Sequence, residues 1–266
     1  MQKATTTKKK APCTFSADGK LKLDVPTSWQ ELSEEQQRKV LEELGSTYPT
    51  LAKTRMVMYF SGIHIKERNG SELICYLDNG HVFVMQTWQW HWLVERMSFV
   101  DSYKGYRPLP NIGRLQPVEE MLHDVPFKAY LAMEKYYQGF LRNKNTELLE
   151  KLGRLMYMDG EVYNQAQLFS EGERLNCFLW FANIKESLVK FFPNYFKPAG
   201  SNNGKVTQYD ILAQMNMQIR ALTGGDITKE KEVLDMDCWR ALTELDAKAL
   251  DAIEIRKLRD KSKSKK

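Results

Sequence analysis

Only four histidines and four cysteines occur in the 266 residues, and none stands at a spacing that builds a metal site. His64, His81, His91 and His123 form no HxxxH or HExxH pair that would set two imidazoles on one helix face. Cys13, Cys75, Cys177 and Cys238 include no CxxC, which argues against a zinc ribbon and a dense disulfide scaffold. Free thiols in a reducing cytoplasm are expected, with no metal and no cofactor. His91 and Glu95 share a helix face at i, i+4, and that pair reads as a structural histidine rather than a ligand.

Catalytic words are missing too. There is no GxSxG elbow, and no cysteine has a neighbouring histidine or basic cluster to favour its thiolate. Gly200-Ser-Asn-Asn-Gly204-Lys205-Val206 resembles a P-loop, but one residue is absent between the glycines and Val206 replaces the hydroxyl that would hold Mg²⁺. It also follows Tyr195-Phe-Lys-Pro198 rather than a buried strand. No catalytic residue is assigned, and the expectation is a protein that is not an enzyme.

Long apolar runs are lacking as well. Cys177-Phe-Leu-Trp-Phe-Ala182 is among the most apolar stretches and falls far short of the roughly 20 residues of a membrane span. Lys8 to Lys10 are followed by Ala11, Pro12 and polar residues, not by the apolar core of a secretory signal, so the chain is expected to start at Met1 without a leader.

The net charge of +5 is unevenly placed. Residues 1–20 and 254–266 together carry +9, so residues 21–253 come to −4. The body is mildly acidic between two basic tails. A hydrophobic fraction of 42% with 12 Phe, 12 Tyr and 6 Trp is the composition of a chain that buries a core.

Residues 1–20 lack apolar periodicity and read as a mobile basic arm. Ser33-Glu-Glu-Gln36 has capping-box spacing and opens a helix over about 33–45 that ends at Gly45. Leu51, Ala52, Met56, Met58, Tyr59 and Phe60 predict a second helix, apolar around most of its circumference. Three β-favouring runs follow: Ile63 to Arg68, Glu72 to Leu77 and His81 to Gln86. Asn69-Gly70 and Asn79-Gly80 separate them and supply the positive φ angles of tight turns, which predicts a three-stranded antiparallel meander. In Thr87-Trp-Gln-Trp-His-Trp92 the tryptophans alternate as on a strand, whereas on a helix Trp88 and Trp92 share a face with Trp90 opposite. The continuation Leu93 to Phe99 favours a helix with Thr87 as N-cap. The tryptophan cluster and Met56, Met58, Met85 and Met97 read as core rather than interface.

Residues 101–117, with three prolines and two glycines, hold no long regular element and form a linker or a functional loop. Helices are then expected near 117–123, 126–142, 146–158, 170–191, 206–222 and 236–258. The far end of the last helix is expected to pack back on the core. The fold class is α+β, mainly α, with the meander near 63–86. The divisions are a basic arm 1–20, an α/β part 21–116, a helical part 117–253 that is either separate or continuous with it, and a basic tail 254–266.

Two functional readings come from the residues. Tyr103-Lys104-Gly-Tyr106-Arg107, with Arg114, mixes aromatics and cations in a composition suited to stacking on bases and neutralising phosphates, and the basic tails add nonspecific affinity. The competing reading is a packed loop whose tyrosines cover the helical body.

The words Pro26-Thr-Ser-Trp-Gln-Glu-Leu-Ser-Glu-Glu-Gln36, Leu109-Pro-Asn-Ile-Gly113, Asp124-Val-Pro-Phe127 and Leu222-Thr-Gly-Gly-Asp-Ile-Thr-Lys-Glu-Lys-Glu-Val-Leu234 resemble an uncharacterised prophage-associated family of bacterial proteins, over residues 21–253. The resemblance implies a role in virion morphogenesis, as a tail or head-completion protein or an assembly chaperone. Its partners would be other phage structural or assembly proteins, and no membrane. The alternative is a nucleic-acid-binding accessory protein that uses the basic tails and the Tyr103 to Arg114 loop.

Overall fold

Two antiparallel strands come first among the described residues: β1 (Cys13–Phe15) and β2 (Leu21–Leu23), in register Cys13↔Leu23 and Phe15↔Leu21. A computed structural model describes residues 13–15, 21–23, 25–163, 168–196 and 208–263. Within the stretch expected to be a mobile arm, residues 13–15 are therefore a paired strand; the rest of that arm lies outside the described residues. With 62% helix and 14% strand the chain is α+β and mainly α.

The chain divides into two compact units, residues 1–105 and 106–266. This boundary lies ahead of the expected one at 116/117, because residues 106–117 are bound into the second unit.

In unit 1, α1 (Glu34–Leu44) starts at Ser33, whose hydroxyl accepts from Gln36 N while Gln36 Oε1 accepts from Ser33 N at 2.9 Å. The expected capping box is present in both directions. After a 3₁₀ turn, α2 (Ala52–Ser61) buries Met56, Val57 and Phe60 but leaves Tyr59 exposed, so it is apolar-buried on one side and not all round. Gly62, with φ +66, closes α2 in the left-handed region that a side chain disfavours and turns the chain into the sheet.

The meander is β3 (Ile63–Asn69), β4 (Glu72–Leu77) and β5 (Val82–Gln86), in that spatial order. Asn69 pairs with Glu72, so the first hairpin loop is Gly70-Ser71, with the positive φ carried by Gly70 alone. The second loop is Asp78-Asn79-Gly80: Gly80 N donates to Leu77 O and Leu77 N to His81 O, and Gly80 takes φ +83. Ile63, Leu73, Cys75, Leu77 and Met85 are buried, as the two-residue period of a strand requires. The next helix, α3 (Thr87–Arg96), continues β5 without a loop. Its cap is Gln86, not the expected Thr87: Gln86 N donates to Gln89 Oε1 at 2.9 Å, and Thr87 N is held by Ser71 O at 2.8 Å. Trp29 anchors the end of the unit, its Nε1 donating to Ser102 O at 2.7 Å and its ring meeting Phe99 edge-on.

Unit 2 begins with a segment of little regular structure. Where a helix is expected over 117–123 the chain instead forms β6 (Gln116–Pro117) and a series of turns. Side chains of later helices occupy its backbone groups. Helix α4 (Phe127–Asn143) is joined by a left-handed Lys144 to α5 (Glu147–Met156). The expected 146–158 helix stops at Met156, because Tyr157 turns extended into β7 (Tyr157–Asp159), which pairs with β6 and, through Gly160, with β8 (Val162–Tyr163). A second three-stranded sheet results.

Helix α6 (Glu171–Phe191) opens on a Ser170 capping box and runs through the core with Cys177, Trp180, Phe181 and Ile184 buried. Asn176, also fully buried, organises the segment in front of it. Its Oδ1 accepts from the Tyr106 hydroxyl at 2.8 Å and from Leu109 N at 3.0 Å. Its Nδ2 donates to the Tyr157 hydroxyl at 2.9 Å, and that hydroxyl donates to Leu109 O at 2.8 Å. One turn on, Trp180 Nε1 donates to Glu120 O, and Asn183 Nδ2 donates to Tyr106 O, both at 3.0 Å.

The remaining helices are α7 (Gln208–Thr223), α8 (Glu230–Asp235) and α9 (Cys238–Lys263). The short α8 was not expected; it follows a 3₁₀ turn started by Asp226, whose carboxylate accepts from Thr228 N at 3.0 Å. Contrary to expectation, α9 runs beyond 258 to Lys263 and does not pack back on the body at its far end: among residues 250–262 only Ile253 is even half-buried.

Replacing Asn176 by Ala removes three buried hydrogen bonds at once, and should lower the stability of unit 2 by roughly 3–5 kcal/mol, measured by urea unfolding. Ser170→Ala, which removes one exposed cap, should cost only about 1 kcal/mol in the same experiment.

Candidate protein-docking site

Where β5 runs into α3, the helical period decides which tryptophan enters the core. Trp90, Leu93 and Met97 recur at i, i+3 and i+7 and are buried. Trp88 and Trp92, four residues apart, then lie on another face, where they are 67% and 55% exposed. The reading of the tryptophans as core thus holds for Trp90 and is corrected for these two. Of the methionines read with them, Met56, Met85 and Met97 are buried and Met58 is half-buried.

Leu23, Met85, Trp88, Gln89, Trp92 and Leu93 line a groove of about 330 Å³. Its walls are indole and aliphatic, with Gln89 as the polar group. The Arg96 guanidinium lies 4.9 Å from the centre of the Trp92 ring, one further turn along the same face. It holds that indole in place through a cation–π contact. The His91–Glu95 pair, 3.7 Å apart, is exposed on both sides and touches solvent rather than an enclosed site.

A second apolar surface lies on the outer face of the sheet. Tyr76 pairs with Val82 and Ile74 with Val84, and Tyr76, Val82 and Val84 are exposed. The His64 ring stacks on Tyr76 at 5.0 Å while His64 Nε2 meets Asp78 Oδ1 at 2.7 Å. β5 is also an edge strand of this sheet, and edges with exposed apolar side chains are surfaces onto which further chain can pair.

The loop residues singled out from sequence are placed differently from one another. Tyr103 and Lys104 are exposed in unit 1, whereas Tyr106, Arg107 and Arg114 belong to unit 2. Tyr106 is 0% exposed, and its hydroxyl and carbonyl are both engaged by α6, so its ring is not presented for stacking. Arg107 is exposed, and Arg114 is ion-paired to Asp159 at 2.7 Å. The structure does not bring the two tyrosines together within one unit.

Among the described residues no group of three His, Cys, Asp or Glu side chains is arranged to hold a metal ion. Cys75, Cys177 and Cys238 are buried, and burial pushes all three thiols up, which keeps them protonated. The P-loop-like stretch Gly200 to Val206 lies outside the described residues, and no helix among them is long and apolar enough to cross a membrane.

What the sequence reading missed is the groove. Its signal was present in the spacing of Trp88, Trp92 and Arg96, a stripe of period four running beside the buried stripe. Compared with known proteins, the chain matches no family model, no curated protein and no solved structure.

Proposed function

We propose that this protein acts through protein–protein contacts, as a non-enzymatic structural or assembly protein of the prophage type that its sequence resembles, and that a partner protein covers the groove between Trp88 and Trp92. One observation carries the reading: two indoles, each more than half exposed, flank an apolar groove on one helix face. Tryptophan is the residue type most enriched among those that dominate binding energy, because a flat, rigid ring buries a large area for little lost rotamer freedom. A protein that keeps two of them in water forgoes stabilisation that a partner recovers on docking. The groove has the anatomy of an interface centre, an apolar floor with Gln89 and Arg96 at its margin.

A second reading, nucleic-acid binding, is supported by α9. Its last turns expose Arg256, Lys257, Arg259 and Lys261 against Glu254 and Asp260, a cationic rod suited to phosphate contacts.

The first reading is tested with the proteins encoded beside this gene, which on this reading include head or tail morphogenesis proteins. One of them should bind the full chain, and Trp88→Ala with Trp92→Ala should weaken that binding by about a hundredfold or more. The same double variant should shift Tm by no more than about 2 °C, since neither ring supports the core. Complete particles from a gene deletion, or binding indifferent to both substitutions, would sink the proposal. For the second reading, fluorescence anisotropy with a labelled DNA duplex should show affinity that falls steeply with salt and is lost on truncation after Ile253. Binding that ignores the truncation excludes α9 as the contact.

A further inference from the structure

Unit 2 contains a cavity of about 620 Å³ bounded by α4, α6, residues 195–196, α7 and α9, a volume typical of small-molecule sites. Much of its lining is apolar, including Val189, Ile211, Met215 and Leu245. Its polar groups are unusual in what they leave undone. Glu134 Oε1 accepts from Lys185 Nζ at 2.5 Å and from Gln138 Nε2 at 2.9 Å. Glu134 Oε2 and Gln218 Oε1, by contrast, are buried and have no hydrogen-bond partner among the described residues. Native proteins rarely leave buried acceptors in this state unless something else supplies the donor.

The donor inventory narrows what that something is. The Tyr195 phenol lines the cavity with Glu134 and Gln218, and its O–H is a donor. Burial pushes the Tyr195 phenol far up, so it stays a neutral donor across the accessible pH range. The nearby cations are already committed. Lys185 is paired with Glu134 and sits 5.7 Å from the centre of the Phe196 ring, and Lys248 is paired with Glu244 at 3.1 Å. An anion entering the cavity meets two acceptor oxygens. A cation meets the Lys185 ammonium beside Glu134. The remaining class is an uncharged group that both donates and accepts.

We infer that this cavity binds an uncharged, amide-bearing small molecule with an apolar body. Its N–H groups donate to Glu134 Oε2 and Gln218 Oε1, its carbonyl accepts from Tyr195, and its body lies against the aliphatic and methionine side chains. The site goes beyond the docking role and lies in the other unit, so the failure of either leaves the other standing.

The experiment uses the full chain with ¹³C-methyl methionine, because Met215 and Met217 both line the cavity and report occupancy directly. Three probes of nearly one shape differ in charge: benzamide, benzamidinium and benzoate. Benzamide should shift both methyl signals saturably, with a dissociation constant roughly in the millimolar range for a ligand of that size, and the two ions should bind at least about fivefold more weakly. Gln218→Leu should weaken benzamide binding about five- to tenfold. Ala221→Phe places a ring at the exposed rim of the lining, three residues from Gln218 on the same helix, and should abolish the shifts; it serves as the decisive variant should Gln218→Leu not fold. Tighter binding of either ion overturns the assignment of ligand class. Unmoved methyl signals with all three probes, or benzamide shifts that survive Ala221→Phe, mean that the cavity holds water only.

Discussion

The carboxamide of Asn176 accepts from the Tyr106 hydroxyl and the Leu109 N–H while donating to the Tyr157 hydroxyl, which donates in turn to the Leu109 carbonyl. This closed set joins α6, the start of β7 and a loop some seventy positions upstream. Its importance follows from what that loop lacks. Residues 106–126 have neither helix nor long strand to pair their backbone groups, yet Tyr106, Leu109, Ile112 and Leu122 are buried. Burying an irregular backbone is costly unless each N–H and C=O finds a partner. Asn176, Trp180 and Asn183 supply those partners from one face of α6, and Trp239 adds another by donating to Met121 O at 2.7 Å.

The same constraint accounts for the unit boundary. Once Tyr106 and Leu109 are tied to α6, the segment after Gly105 belongs with the helices that follow it, despite a composition that reads as linker. Gly105 itself has φ +74, and a Cβ there would run into the Gln30 side chain. The Gln30 amide is the flexible end of an exposed side chain and can move aside, so it is the backbone reversal at the end of unit 1 that calls for glycine.

The two candidate sites arise from different physics. In unit 1 the junction of β5 and α3 has no loop, so the register of the sheet, with Met85 facing inward opposite Leu73, fixes the rotational phase of the helix that follows. Trp90, Leu93 and Met97 take the core and Trp88 and Trp92 are left outside. Exposure there is a consequence of phase. In unit 2 the cavity is defined by incomplete satisfaction: the Glu134–Lys185 pair uses one carboxylate oxygen and leaves the other buried without a donor.

Much of unit 1 was legible because its signals are local. Ser33 and Gln36 form a capping box wherever that spacing meets a helix start, Gly70 and Gly80 turn the chain because they alone adopt positive φ cheaply, and alternation along β4 marks which residues face inward. Ser170 and the helix after it were legible for the same reason. The sequence by itself determined these elements, the mainly helical class and the displacement of positive charge to the tails. Tertiary structure decided the rest: that residues 117–123 are not helical, that Tyr157 leaves its helix for a strand, that Tyr106 is consumed by Asn176, and that Glu134 shares a cavity with Gln218. Each of these depends on a partner far away in the chain, and local propensity carries no information about a hydrogen bond that only packing brings within reach.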